Sequence, residues 1–299
     1  MENTKKLLIA IVLNLIIVFS QIGFGIYSNS ISLITDAVHN FQDVISLIIA
    51  FIAIIYMKKK PTEYMTFGYL RSEVLAGFIN SAILIGAIVL IIFSSIERLL
   101  YPQEVQSVYV IIVGAIAFFI NAFSAYLLGF HHHHHEHGDH HHHHHEDINI
   151  RAAYLHLLSD AGMSLAVVIG GVFMYLYKIY WIDPLISILF SLYILKETVP
   201  LLKRSYFILM ESVPPNISIL NIKKELLSFE HVKDIHDLHI WSLSSKDTYL
   251  TAHITLDSNV TVEEFDKILE KIKETLKKKG INHITIQPET EKYNCENQY

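Results

Sequence analysis

Residues 31–56 read ISLITDAVHNFQDVISLIIAFIAIIY, and two features of that stretch decide the fold. It is long and apolar enough to cross a hydrocarbon core roughly 30 Å thick, which takes about 20 helical residues. Yet Asp36, His39 and Asp43 interrupt it. Ionisable groups at membrane depth are costly and face a cavity or a partner rather than lipid. His39 and Asp43 are four apart and project from one helical face, and Asp36, three before His39, lies on nearly the same face.

A second apolar stretch, AAYLHLLSDAGMSLAVVIGGVFMYLY at 152–177, repeats the His-x-x-x-Asp spacing with His156 and Asp160. If the two faces meet, two imidazoles and two carboxylates surround one point. Two nitrogens and two oxygens in a tetrahedron suit Zn²⁺, whereas Mg²⁺ prefers an octahedron of oxygens and Cu(I) prefers sulfur. Either pair alone has a plainer reading, a hydrogen bond between packed helices. Two matched pairs in one membrane domain favour an ion. Such ligands hold a metal only when deprotonated, so protons compete with it for the same atoms. Asp36 is expected either to orient His39 from behind or to sit near an outer vestibule.

The rest of the chain fits a membrane protein with a soluble tail. Of its 299 residues 52% are hydrophobic, and these crowd into the first two thirds. Six spans are expected near 7–27, 31–56, 73–96, 106–130, 152–177 and 181–197. Each should be a helix, because lipid offers the backbone no hydrogen-bond partner. The first is too long for a signal peptide and has no small-x-small cleavage pattern. With alternating spans, Lys5, Lys6, Lys58, Lys59, Lys60, Arg71, Arg151, Lys196, Lys203 and Arg204 fall on one side, and only Arg98 and Lys178 on the other. The positive-inside rule then puts both termini in the cytoplasm of a multi-pass cell-membrane protein. Tyr27, Tyr101, Tyr180 and Trp181 are expected as interface anchors, Asn14 and Asn121 as residues that join helices, and Asp183-Pro184 as a helix cap at the outer boundary.

Other features set limits. A formal net charge of -6 gives no basic footprint for nucleic acid. A single cysteine, Cys295, allows no disulfide within the chain. No G-x-x-x-x-G-K-[ST] loop is present to bind a nucleotide. Twelve of the 19 histidines lie in HHHHHEHGDHHHHHH at 131–145, between the fourth and fifth spans. That run cannot build a core and is expected to be disordered, and its neutral imidazoles suit metal collection. A drifted repeat without effect on flux is the competing reading.

From about Ser212 the pattern becomes charged. A helix is expected over 218–228, strands over His236–Leu243, Thr248–Leu256 and Ile281–Gln287, and a capping box at Thr261 and Glu264 opening a helix to about Lys279. The order αββαβ suggests a two-layer domain of ferredoxin-like type. Leu250, Ala252, Ile254 and Leu256 share the face toward the helices, and His253 points the other way. If the turn pairs Leu243 with Thr248, His253 lies across from Leu238. His236 is then on its diagonal, Leu238 and Ile240 form an apolar patch on that same face, and His239 points to the opposite one. His236 and His253, with Glu289, are a candidate second metal site; a metal-free pair of surface histidines is the alternative.

Several stretches together resemble the cation diffusion facilitator family, in particular its bacterial cobalt–zinc–cadmium and zinc-transporting branch. They are SISLITDAVHNFQD, TFGYLRSEVLAGFIN, NIRAAYLHLLSDAGMS, IDPLISILFSLYIL, ILMESVPP, IHDLHIWSLSS and HITIQPE, in the family's order over about residues 7 to 290. The resemblance implies an α-helical membrane protein with six transmembrane helices (1–208, including the 131–145 loop), a cytoplasmic ferredoxin-like α+β domain (209–290) and a polar tail (291–299). It implies a homodimer in the lipid bilayer that exports Zn²⁺, or Cd²⁺ or Co²⁺, in exchange for protons by alternating access. The transport site would be His39, Asp43, His156 and Asp160, and the cytoplasmic site His236 and His253, with Glu289 a further candidate. Ile286 stands where some relatives carry another histidine ligand. No prosthetic group is expected; Zn²⁺ would be the substrate and a regulatory ligand. No enzymatic step is implied, and the H-E-x-x-H pattern of a metalloprotease is absent from the membrane helices. A metal sensor using the histidine run is the remaining rival, and a flux assay separates it from a carrier.

Overall fold

The computed structural model describes residues 2–130, 144–257 and 260–291. Most of the histidine run, at 131–143, and the tail at 292–299 with Cys295 lie outside the described residues, as does the side chain of Asn14. The elements are α1 (Glu2–Ser28), α2 (Ile31–Met57), α3 (Arg71–Leu100), α4 (Ser107–Phe130), α5 (His144–Tyr177), α6 (Ile182–Leu209), α7 (Ile219–Leu226), β1 (Val232–Ser242), β2 (Thr248–Leu256), α8 (Val262–Lys278) and β3 (His283–Thr290). They form two compact units, one of Met1–Ile48 with Asn80–Val199 and one of Ile49–Ile79 with Pro200–Tyr299.

Among the described residues five helices, α2 to α6, carry stretches long and apolar enough to cross a membrane, not six. In α1 the described apolar stretch is the shorter Leu15–Ser28. The chain is thus a multi-span helical membrane protein with an α+β domain at its C-terminal end. Many large apolar side chains, among them Phe19, Leu90, Phe93 and Phe119, stand exposed on the helices. Lipid replaces water there, so exposure carries no hydrophobic penalty.

The first unit is held by apolar clusters and by close approaches through small residues. Leu33 of α2 packs with Val110 and Val113 of α4 and Val167 and Met174 of α5, and Ile186 and Phe190 of α6 close this cluster. A Cβ placed on Gly171 of α5 would stand 2.9 Å from the Ile111 side chain of α4, so glycine there lets the two helices touch. Asp183 does cap a helix, and that helix is α2 rather than its own. Its buried carboxylate accepts from the Ile31 N–H at 2.7 Å, the Ser32 N–H at 3.3 Å and the hydroxyls of Ser30 and Ser32, both at 2.5 Å. An acid in this place satisfies orphan amides and meets the positive end of the helix dipole. Helix α6 runs past the expected end near 197 to Leu209, with Pro200 inside it.

In the second unit Thr261 and Glu264 form the expected capping box of α8, and Ser218 caps α7. The sheet order is β1-β2-β3, antiparallel then parallel, with α8 as the crossover between β2 and β3. Ile222 and Leu226 of α7, Phe265, Ile272 and Leu276 of α8 and Leu250, Ala252, Ile254 and Leu256 of β2 fill one core.

The hairpin register differs from the expectation. Ser242, not Leu243, pairs with Thr248. Ile240 then faces Leu250 in the core, where it is buried, and Leu238 packs against that core, so the expected apolar patch beside the histidines does not exist. His239, paired with Thr251, lies on the outer face with His253 rather than opposite to it. A bulge between His236 and His239 adds one residue to β1, and Asp237 within it takes a left-handed φ of 50°. Upstream of a bulge the inward–outward alternation reverses. His236 is thereby brought directly across from His253 instead of onto its diagonal.

Candidate metal centre

In the membrane domain the four expected residues meet. Helical periodicity puts His39 and Asp43 on one face of α2 and His156 and Asp160 on one face of α5. His39 Nε2 lies 3.2 Å from Asp160 Oδ1 and 3.9 Å from Asp43 Oδ2. His156 Nε2 lies 3.3 Å from Asp43 Oδ2 and 3.7 Å from Asp160 Oδ2. The imidazole centroids are 5.9 Å apart. Each histidine therefore touches both carboxylates, one on its own helix and one across.

These spacings have a chemical meaning. Four ligands bound at roughly 2.0–2.1 Å around a tetrahedral ion stand about 3.3 Å from one another. The four nitrogen–oxygen distances of 3.2, 3.3, 3.7 and 3.9 Å scatter around that edge length. Ligand atoms of His39, His156 and Asp160 all lie within 4.8 Å of each other, close enough to share one ion, and Asp43 reaches both histidines from the side. Exposure is graded: the Asp160 side chain is 5% accessible, His39 12%, Asp43 34% and His156 49%. The set is thus closed behind Asp160 and open at His156.

Asp36 does not join this group and makes no hydrogen bond to His39, whose Nδ1 is buried without a hydrogen-bond partner among the described residues. Instead Asp36 Oδ2 accepts from Gln21 Nε2 of α1 at 2.6 Å and from Ser164 Oγ of α5 at 3.0 Å. Asn40 donates to Gln21 Oε1 at 3.1 Å. Gln21 and Ser164 went unremarked in the sequence. The available signal was their polarity within apolar spans and the spacing of Ser164, one turn beyond Asp160. Asn121 of α4 is buried, yet its Nδ2 forms no hydrogen bond among the described residues, so that atom makes no bond between helices.

A second cluster stands on the outer face of the tail sheet. Glu289 of β3, nearly buried, reaches His236 Nε2 at 3.0 Å with one oxygen and His253 Nδ1 at 2.9 Å with the other. The two rings are 5.5 Å apart, and their ligand atoms and that of Glu289 lie within 4.8 Å of one another. Gln287 Nε2 donates to Glu289 at 3.0 Å, and Asp237 Oδ2, presented by the bulge, lies 3.5 Å from His253 Nε2. Ile286 pairs with Ala252 on β2 and packs against the core, away from these ligands. Both clusters have the donor set of a metal site.

Fold and clusters define a polytopic membrane protein equipped to handle a metal cation. The chain belongs to the cation diffusion facilitator family: residues 7–210 match the cation efflux transmembrane domain, and 214–291 match the cytoplasmic domain of cation efflux proteins. It is a secondary transporter of metal cations and not an enzyme. It is similar to the "Cadmium, cobalt and zinc/H(+)-K(+) antiporter" of Bacillus subtilis (strain 168), 36% identical over 296 residues that cover 99% of this chain and 92% of that one. It is also similar to the "Metal cation efflux system protein CzcD" of Cupriavidus metallidurans, at 32% identity over 95% of this chain and 86% of that one. The "Zinc transporter ZitB" of Yersinia pestis is 31% identical, over 96% of this chain and 88% of that one.

Proposed function

We propose that the protein exports Zn²⁺, and also Cd²⁺ or Co²⁺, from the cytoplasm in exchange for protons by alternating access, with His39, Asp43, His156 and Asp160 as the transport site. The observation that carries this reading is the crossing pattern of nitrogen–oxygen contacts, the two between helices, at 3.2 and 3.3 Å, matching the edge of a tetrahedron around one ion. Without an ion the same atoms are at or near hydrogen-bonding distance. A proton between nitrogen and oxygen therefore occupies the gap a metal would bridge, and protons arriving from outside expel the metal. Names of the relatives, which speak of antiport and of cadmium, cobalt and zinc, agree with this.

In this reading α1 is the sixth span, both termini face the cytoplasm of a cell-membrane protein, and two copies form a homodimer. Domains of 1–208 and 209–290, with a short polar tail at 291–299, carry transport and a ferredoxin-like fold respectively. His236, His253 and Glu289 hold a regulatory metal ion, and the 131–145 run gathers metal at the cytoplasmic mouth.

Zinc flux into vesicles containing the purified protein, measured with and without an imposed pH gradient, tests the exchange. Faster uptake with the gradient is expected. Equal flux in both cases would remove proton coupling, and full activity in H39A and D160A would remove the site. Metal binding without flux would instead favour a sensor.

A further inference from the structure

We propose that Asp36 is a positioning residue for the transport site, acting through a hydrogen-bonded clasp with Gln21, Asn40 and Ser164. The proposal rests on the reading of His39, Asp43, His156 and Asp160 as that site. Asp36 lies one turn before His39 on α2, and Ser164 lies one turn after Asp160 on α5. The bond between them therefore forms the layer directly beside the ligands, parallel to the 3.2 Å contact of His39 with Asp160. From α1, Gln21 uses both ends of its amide: Nε2 donates to Asp36 and Oε1 accepts from Asn40. Residues 36 and 40 are one turn apart, so a single side chain grips α2 at two points on one face.

Three helices thus converge on one carboxylate oxygen. The centre of the layer is buried: Gln21 and Ser164 are 0% exposed and Asp36 1%. Oδ1 of Asp36 has no hydrogen-bond partner among the described residues, so the hydrogen bonds the carboxylate accepts from them come from Gln21 and Ser164. Rotation of α2 about its axis, or sliding of α5 along it, leaves a buried carboxylate oxygen without donors, which is costly away from water. The clasp consequently holds α2 and α5 in the one relation that brings the ligands of both to a single point. Among its hydrogen bonds to described residues Asp36 has none to a ligand; its effect on the metal is through helix register.

The test is the zinc dependence of flux in vesicles, joined to the visible spectrum of Co²⁺ bound to the full-length protein. Subtracting the spectrum of H39A isolates the transport site, since a tetrahedral Co²⁺ site absorbs strongly. Expected is a rise of about tenfold in KM for D36L, Q21L and S164A, with smaller change in kcat, as for other groups that orient metal ligands. The tetrahedral bands should weaken in parallel. S164T, which keeps the hydroxyl, should restore both, and D36N, which keeps an acceptor oxygen, should stay near wild type. D36L with S164A should be no worse than D36L alone, since both remove the same clasp. Unchanged KM and spectrum in Q21L and S164A would overturn the proposal even if D36L failed to fold. So would a D36N as impaired as D36L, because charge rather than the clasp would then be at work. If the wild type itself lacks a Co²⁺ spectrum lost in H39A, the site reading fails instead.

Discussion

Asp160 and Asp43 are chemically alike but differently placed, and the difference orders their mutants. Asp160 is the least exposed of the four and bonds His39 from the closed side, whereas Asp43 is one-third exposed. Removing a group that merely orients a metal ligand costs roughly 10- to 100-fold in affinity. D160N should lose at least that in zinc affinity and D43N less, read as the zinc concentration giving half-maximal flux. The reverse order would argue that the ion sits on the open side, nearer His156. Acidity has a definite sign as well. Each proton displaced by the ion weakens apparent affinity about tenfold per pH unit below the pKa of the group concerned. Titrating zinc binding at several pH values should therefore give weaker binding at lower pH, and the slope counts the protons exchanged.

At the scale of the element, the tail offers two tests. Asp237 holds a left-handed backbone at the bulge, a conformation Asp tolerates and a β-branched residue does not. D237V should destabilise the domain by about 1–2 kcal/mol and loosen metal binding at His236 and His253, while D237G keeps the fold and loses only the carboxylate that contacts His239 and His253. Thermal unfolding of the two variants separates backbone strain from charge. The start of α8 should respond to acid. The Thr261 backbone N–H, then its hydroxyl, hold the Glu264 carboxyl below the usual range. A depressed carboxyl contributes stability above its unfolded pKa and loses it as pH falls through the folded value. Amide protection at residues 262–265, corrected for the intrinsic exchange rate, should fall on acidification below about pH 4, and E264Q, which removes the titrating carboxyl, should abolish that dependence.

For the whole molecule, the two clusters belong to different compact units, His39, Asp43, His156 and Asp160 to one and His236, His253 and Glu289 to the other. In a chain with the loop histidines replaced by serine, bound zinc should fall by one equivalent in H39A/D160A and by a separate one in H253A/E289Q. Loss of both together in either variant would mean the sites are not independent. The tail core is a further handle, because Leu250 is fully buried among α7, α8 and the sheet. L250A should cost about 2–5 kcal/mol and expose the tail to protease.

Much of this architecture is local and so was readable along the chain. A helix is closed by hydrogen bonds four residues apart, so His-x-x-x-Asp on α2 and α5 determines that each pair shares a face, wherever that face turns. Capping at Thr261 and the αββαβ order are equally short-range. The tertiary structure alone decided which faces met. That Gln21 would grip Asp36 and Asn40, that Asp183 would cap α2 from α6, and that an extra residue at Asp237 would set His236 against His253 depend on rotation about helix axes and on strand register. Those quantities are governed by packing between atoms distant along the chain, which no pattern within one segment encodes.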